Sequence, residues 1–366
     1  MRWVIKVGSG VISTANGVLD RDAIKRLASQ LIGLHQQDNQ VILVSSGAIA
    51  AGVGRLGLTE RPTDLRMKQS AAAVGQLALL KAYEEYFSEA QIIPAQILLT
   101  REDLLDRDRY FNIRNTLMNL LALRTIPIIN ENDSVSVEEI QFGDNDTLAA
   151  IVAVKVGADR LILLSNVPGL YQFGTEEDGK KIVSVVHQVT AEMEMKASKK
   201  IGSKLSVGGI VSKLRAAKMA ASAGIETWIA SGHESNTLER ILRGEEGVGT
   251  RFVAKKMKVP SRHAWIAFGR SAKGSVTIDD GAVDALVKQK KSLLPKGIKV
   301  VKGHFLVGDT IEVRSAEGME IGRGLVNYSA LDVKKIKGHH SKDIGDILGR
   351  QDAVAEVIHR DNLVLL

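Results

Sequence analysis

WVIKVGSG, Trp3 to Gly10, and VILVSSGAIAAG, Val41 to Gly52, are two short β-branched runs that each end in a loop rich in glycine and small residues. Between them Ile24, Leu27, Leu31 and Leu34 recur at helical spacing, with Asp20 placed to cap the helix N-terminus. A strand, a helix and a second strand in that order predict a right-handed crossover joining parallel strands. The alternation continues through strand-like runs at Ile92 to Leu98, Ile126 to Ile129, Leu161 to Leu164 and Thr227 to Ala230. The expected class is α/β, a mainly parallel sheet covered by helices on both faces. In that architecture ligands collect beyond the carboxyl ends of the strands, so the loops that follow the strands are where chemistry should lie.

Beyond Ala254 the pattern changes. A basic segment with Pro260 leads into a glycine-rich tail with short strand-like runs, SVTI, IKVV, TIEV and AEVI. The expected division is residues 1–255 as one domain, 256–272 as a linker and 273–366 as a small β-rich domain.

The chain has 366 residues, 45% hydrophobic and 25% charged, the profile of a globular protein with more than one core. No apolar run reaches the ~18 residues that a membrane-spanning helix needs. The first residues enter a strand without a basic, apolar and cleavable leader, so the expected location is the cytoplasm. With no cysteine, disulfides, thiolate nucleophiles and thiolate metal sites are excluded. From Arg262 onward there are 17 Lys and Arg against 13 Asp and Glu, so that stretch carries +4 of the net +7.

Five loops carry the candidate chemistry. Lys6 ends the first strand and precedes Gly8-Ser9-Gly10, where a backbone without Cβ atoms can approach phosphate oxygens. No GxxxxGK[ST] motif is present. SSGAIAAG, from Ser45, turns from a strand into a helix and presents backbone N–H groups to an anion. INENDSVS, Ile129 to Ser136, gathers Asn130, Glu131, Asn132 and Asp133 at one strand end, a set of acceptors suited to the ammonium of an amino acid. In FGDNDTLAA, Phe142 to Ala150, a helix cap accounts for one of Asp144, Asn145 and Asp146, and the other two point to a second task such as orienting a lysine or touching a metal through water. SVGGIVSKLRAAKMA, from Ser206, places Gly208 and Gly209 before a helix that bears Lys213, a pattern able to hold phosphates and to stabilise a transferring phosphoryl group.

Taken together and in this order, these loops resemble the amino-acid kinase family, and within it the enzymes that phosphorylate the side-chain carboxylate of glutamate. The resemblance covers nearly the whole chain and implies an α/β/α sandwich, ATP over the C-terminal half of the domain, and Mg²⁺. Residue by residue, it implies Lys6 and Lys213 as the catalytic lysines and Asp146 as the aspartate that orients them. Ser46, Asp133 and Asn145 are implied as glutamate-binding positions. Lys6, Ser165, Asn166, Val207, Gly208, Gly209, Ile210, Val211, Ser212 and Lys213 are the implied ATP contacts, with VPGLY from Val167 beside the nucleotide. Two positions depart from the family pattern. Val207 stands where a threonine is usual and cannot donate its hydroxyl, a loss of ~1 kcal/mol. Asn166 stands where an aspartate is usual and removes a negative charge. Both departures are expected to alter ATP affinity and leave the lysines untouched.

The tail, with SLLPKGIKVVKGHFLVGDTI from Ser292 and GRGLVNYSALDVKKIKGHH from Gly322, resembles PUA domains. Lys334, Lys335, Lys337, His339, His340 and Lys342 form a basic cluster, but few aromatics are present to stack on bases, so an assembly or regulatory role is expected ahead of RNA binding. The resemblance further implies a homo-oligomer, an acyl phosphate product, a place at the first step of proline biosynthesis, and inhibition by L-proline. The alternatives within the fold are an N-acetylglutamate kinase, an aspartokinase or a uridylate kinase. In another class stands an RNA-binding protein with a kinase-like scaffold.

Overall fold

A computed structural model describes residues 1–14, 18–100, 103–104, 107–135, 145–172, 181–199, 209–254, 272–350 and 353–365. The chain divides into two compact units, Met1–Lys258 and Val259–Leu366. Among the described residues no helix is long and apolar enough to cross a membrane. The linker expected at 256–272 lies, except for residue 272, outside the described residues.

The first unit is built on an eight-stranded sheet. Its strands are β1 (Arg2–Val7), β2 (Gln40–Ser45), β3 (Pro94–Leu99), β4 (Ile126–Glu131), β5 (Arg160–Ser165), β6 (Val185–Val186), β7 (Glu226–Ser231) and β8 (Thr250–Phe252), in the order β3-β4-β2-β1-β5-β7-β8-β6. All the pairings are parallel except β7 with β8. The six strands expected from apolar runs are all present, each within two residues of its expected bounds. The two short strands β6 and β8 have no such run and escape a reading based on periodicity.

Side chains alternate across the strands. Trp3, Ile5 and Val7 pack with Val41, Leu43, Ile126, Ile128, Ile162, Leu164 and Trp228 into one core. That core is closed by Ile24, Leu27, Leu31 and Leu34 of the helix Arg21–Gln36, by Leu79, Tyr83 and Phe87 of the helix Leu65–Glu89, and by Leu238 and Ile241. As expected, Asp20 caps the first of these helices by accepting a hydrogen bond from the Ala23 N–H at 3.0 Å. Alternation sends Val4 and Lys6 to the opposite face, where the helices Asn145–Val156 and Gly209–Ser222 pack against each other. The first of these is apolar almost all round, as a helix enclosed by protein must be.

A close crossing places the N-terminal part of the site. The helix Ala48–Leu56 lies so near the helix Leu65–Glu89 that a Cβ on Gly75 would stand 1.8 Å from the Ala48 carbonyl oxygen, and one on Gly52 would stand 1.8 Å from that of Ala71. Only hydrogen atoms fit there. Gly47, at φ +104°, makes the left-handed turn that leads from β2 into the shorter helix.

The second unit holds a five-stranded sheet ordered β10-β9-β11-β12-β13, from β9 (Gly274–Ile278), β10 (Ile298–Gly303), β11 (Thr310–Arg314), β12 (Glu320–Leu325) and β13 (Leu363–Leu365). Its own core includes Val276, Ile278, Ile311, Val313, Val333 and Ile336. AEVI, expected as a strand, is not one. Ile358 makes a single bridge to Leu293 and turns its side chain into that core, while β13 supplies the edge strand. The lysines and histidines of the basic cluster are all exposed.

Gly75→Ala is expected to lower stability by about 3 kcal/mol, the upper range for inserting a methyl group into a packed interior. Gly33→Ala, on the helix Arg21–Gln36 where an added Cβ meets nothing within 4 Å, is expected to raise it by about 0.5–1 kcal/mol. Urea unfolding of the two variants checks both signs.

Candidate active site

Lys6 leaves the sheet at the end of β1 with 5% of its surface exposed, and its Nζ stands 2.6 Å from Asp146 Oδ1. Asp146 lies in the first turn of the helix Asn145–Val156 and is 1% exposed. Its other oxygen, Oδ2, accepts from Lys213 Nζ at 3.0 Å and from the Ser212 hydroxyl at 2.8 Å. Lys213 also donates to the Gly209 carbonyl at 3.2 Å, one turn back on its own helix. Alanines let the two helices come this close: Ala149, Ala150 and Ala153 on one, Ala216, Ala217 and Ala220 on the other, all buried.

Within this trio two buried ammonium groups share one carboxylate, and buried charges are costly unless they are paired. Burial pushes the Asp146 carboxyl up, but the charges and hydrogen bonds of Lys6 and Lys213 outweigh it and hold the group below its ordinary value. Asp146 is therefore ionised at neutral pH.

Beside the trio is a chain of amides. Asn145 Nδ2 donates to the Ser46 hydroxyl at 2.9 Å, to Asn130 Oδ1 at 2.9 Å and, longer, to the Ser45 carbonyl at 3.3 Å. Asn130 Nδ2 donates in turn to Gln76 Oε1 at 2.9 Å. Ser45 is held by Tyr83, whose hydroxyl lies 3.1 Å from its own; burial pushes that phenol up, so it remains neutral. Four separate elements thus meet at the carboxyl ends of β2 and β4.

A profile of the amino acid kinase family matches residues 1–231, and a profile of the PUA domain matches residues 274–348. The chain belongs to the amino acid kinase family. It is 46% identical to a glutamate 5-kinase of Caldanaerobacter subterraneus over the whole of this chain and 98% of that one. Glutamate 5-kinases of Moorella thermoacetica and Paraburkholderia phymatum are 44% and 46% identical, again over the whole of this chain and 96% and 98% of theirs. A carbamate kinase from Giardia lamblia, solved with AMP-PNP bound, covers 69% of this chain and 98% of its own at 19% identity and a TM-score of 0.49.

The residues expected at an amino acid kinase site divide into three groups. Lys6, Asp146, Ser212 and Lys213 form the charged trio and its hydroxyl partner, so the Ser212 side chain, expected among the ATP contacts, is spent on Asp146. Ser46 and Asn145 are directly bonded. Asp133 stands two residues beyond β4, half-buried, with no hydrogen bond to either of them among the described residues. Burial pushes its carboxyl up to about 6, against the opposing charge of Arg61.

Ser165 turns its hydroxyl inward, accepting from the Val167 N–H at 3.2 Å, and so shapes the loop after β5. Asn166 is exposed and lies against Gly10, where an added Cβ would come within 2.4 Å of its amide nitrogen. The loop after β1 and the loop after β5, read separately as phosphate and ATP elements, are therefore neighbours. Gly209, Ile210 and Val211 are half-exposed at the start of the Lys213 helix. Val207 and Gly208, together with Asp144, lie outside the described residues.

Among the described residues no three His, Asp or Glu side chains are grouped to hold a metal ion. The oxygens of Asp146 are taken up by ammonium and hydroxyl groups. The described residues thus offer no cage of carboxylates and imidazoles for Mg²⁺.

Asp146 binds its proton more weakly folded than unfolded, so its contribution to stability is complete above its unfolded value of 3.8 and is lost as pH falls below it. Asp146→Ala, which strands two buried ammonium groups, is expected to cost about 3–5 kcal/mol at pH 7. The difference from the wild type should shrink on acidification below pH ~4, as chemical denaturation at several pH values will reveal.

Proposed function

We propose that this chain transfers the γ-phosphoryl group of MgATP to the side-chain carboxylate of L-glutamate, giving L-glutamyl 5-phosphate and ADP, the first step of proline biosynthesis. The observation that carries the reading is the convergence of two buried ammonium groups, Lys6 and Lys213, on Asp146, one residue along the chain from the amide cluster of Asn145. A site for an anionic phosphoryl group and a site for a polar amino acid share one helix start.

The chemistry asks for little beyond charge. A carboxylate is ionised near pH 7 and needs no general base. Its oxygen bonds to the γ-phosphorus as the bond to the bridging oxygen breaks, and that electron pair leaves with ADP. What opposes the step is repulsion between an anionic nucleophile and an anionic triphosphate. Lys6 and Lys213 are assigned to neutralise the charge that spreads over the transferring oxygens, and Asp146 to keep both ammonium groups in place. Mg²⁺ supplies further neutralisation on the nucleotide phosphates.

Ser46, Asp133 and Asn145 are assigned to glutamate. Asn145, whose nitrogen is turned to Ser46 and Asn130, has its oxygen left to accept from the substrate ammonium, and ionised Asp133 adds charge. The loops at Gly8 to Gly10, Ser165 to Asn166 and Val207 to Lys213 are assigned to ATP. L-proline shares the α-carboxylate and protonated amine of glutamate and lacks the side-chain carboxylate. It is therefore assigned as a competitor at the same polar groups. A cytoplasmic location and a homo-oligomeric state complete the reading, and the second unit is given an assembly or regulatory role.

With ATP, Mg²⁺ and L-glutamate, hydroxylamine is expected to trap the acyl phosphate as a hydroxamate, with little or none from N-acetylglutamate or aspartate. Equal trapping from N-acetylglutamate would overturn the substrate assignment. In the same assay the KM for glutamate should rise as pH falls through about 6, because a raised carboxyl takes its proton there and loses its charge.

A further inference from the structure

Gln76 was not singled out in the sequence, yet it is 8% exposed at the end of the amide chain. Its Oε1 accepts from Asn130 Nδ2, while its own Nε2 is buried with no hydrogen-bond partner among the described residues. The stranded donor is a cost, set against the acceptor that Gln76 gives to the buried Asn130 amide. The cost has a use if the orientation of the amides matters.

Backbone groups set which way the two asparagines face, and Gln76 holds the end that they leave open. Asn145 must turn its nitrogen to the Ser45 carbonyl, since its oxygen there would face another oxygen. Asn130 must turn its oxygen to the Glu131 N–H, from which it accepts at 2.9 Å, and to Asn145. Its nitrogen, 2% exposed with the rest of the residue, then needs an acceptor, and Gln76 Oε1 is the one it has. Gly75, next in the chain, is where the helix Leu65–Glu89 meets the helix Ala48–Leu56.

We infer that Gln76 is a positioning residue for glutamate recognition: by accepting from Asn130 it locks the amide chain so that Asn145 presents an oxygen to the substrate ammonium. The inference rests on the glutamate reading above. Gln76 lies behind Asn130 and Asn145 in this chain, so its effect belongs on amino-acid affinity and leaves phosphoryl transfer alone.

The test compares Gln76→Glu, Gln76→Asn and Gln76→Leu with the wild type for KM of glutamate, KM of ATP, kcat and Tm. Gln76→Glu keeps an acceptor at the same reach and is expected to hold the glutamate KM within about three-fold of wild type, less than one hydrogen bond's worth. Gln76→Asn, one methylene too short, and Gln76→Leu, with no acceptor, are expected to raise it about ten-fold or more, with ATP KM and kcat nearly unchanged. If the leucine variant does not fold, the asparagine variant decides. An unchanged glutamate KM in the asparagine variant overturns the inference, as does an equal loss in the asparagine and glutamate variants, or a loss shared with ATP KM and kcat. A wild type that turns over ATP with another amino acid and not with glutamate refutes the underlying reading and the inference with it.

Discussion

One carboxylate between two ammonium groups is the interaction around which the first unit is arranged. A lysine that ends a parallel strand inside a sandwich would ordinarily be expelled to solvent, because burying its charge alone is too expensive. Asp146 makes Lys6 tolerable there, and Lys213 arrives from a second helix to share the same carboxylate. A fold that needed only stability would be better served by apolar residues at these positions.

The second constraint is steric. Two glycines bring the helices Ala48–Leu56 and Leu65–Glu89 into backbone contact, and that proximity puts Ser45, Ser46 and Gln76 at one end of the sheet. The trio of Lys6, Asp146 and Lys213 is thus held by charge, and the amide chain by close packing and oriented hydrogen bonds. The two join at Asn145 and Asp146, consecutive residues whose side chains go to different partners.

Much of this was legible from the sequence. Buried parallel strands announce themselves as apolar runs, and loops such as GDND and INEND are polar where the run stops, so the sheet and the loops at its carboxyl ends could be read directly, while Ser46, Asn145 and Asp146 were singled out within them by the family resemblance. Strands β6 and β8 are too short for periodicity, and β12, EIGRGL, carries glycines that weaken a strand signal. Gln76 was hidden for another reason. It is one glutamine in a long helix that also holds Gln69, and nothing local distinguishes the buried amide from the other. The spacing of Gly52 and Gly75 was the available signal, since two glycines inside helices ask for a close neighbour. AEVI misled because β-branched character marks burial as well as strand, and Ile358 is buried without pairing along its length.

The claim that Asp146 and Lys213 act as a unit is tested most directly by the steady-state kinetics of Lys213→Met, Asp146→Asn and the double variant. Each single change is expected to lower kcat by ~10²-fold or more with a much smaller change in the glutamate KM. The double variant should then be about as slow as the slower single one, because a lysine without its aspartate is already misplaced. Losses that multiply would show independent roles, and a near-normal kcat in Lys213→Met would contradict the account.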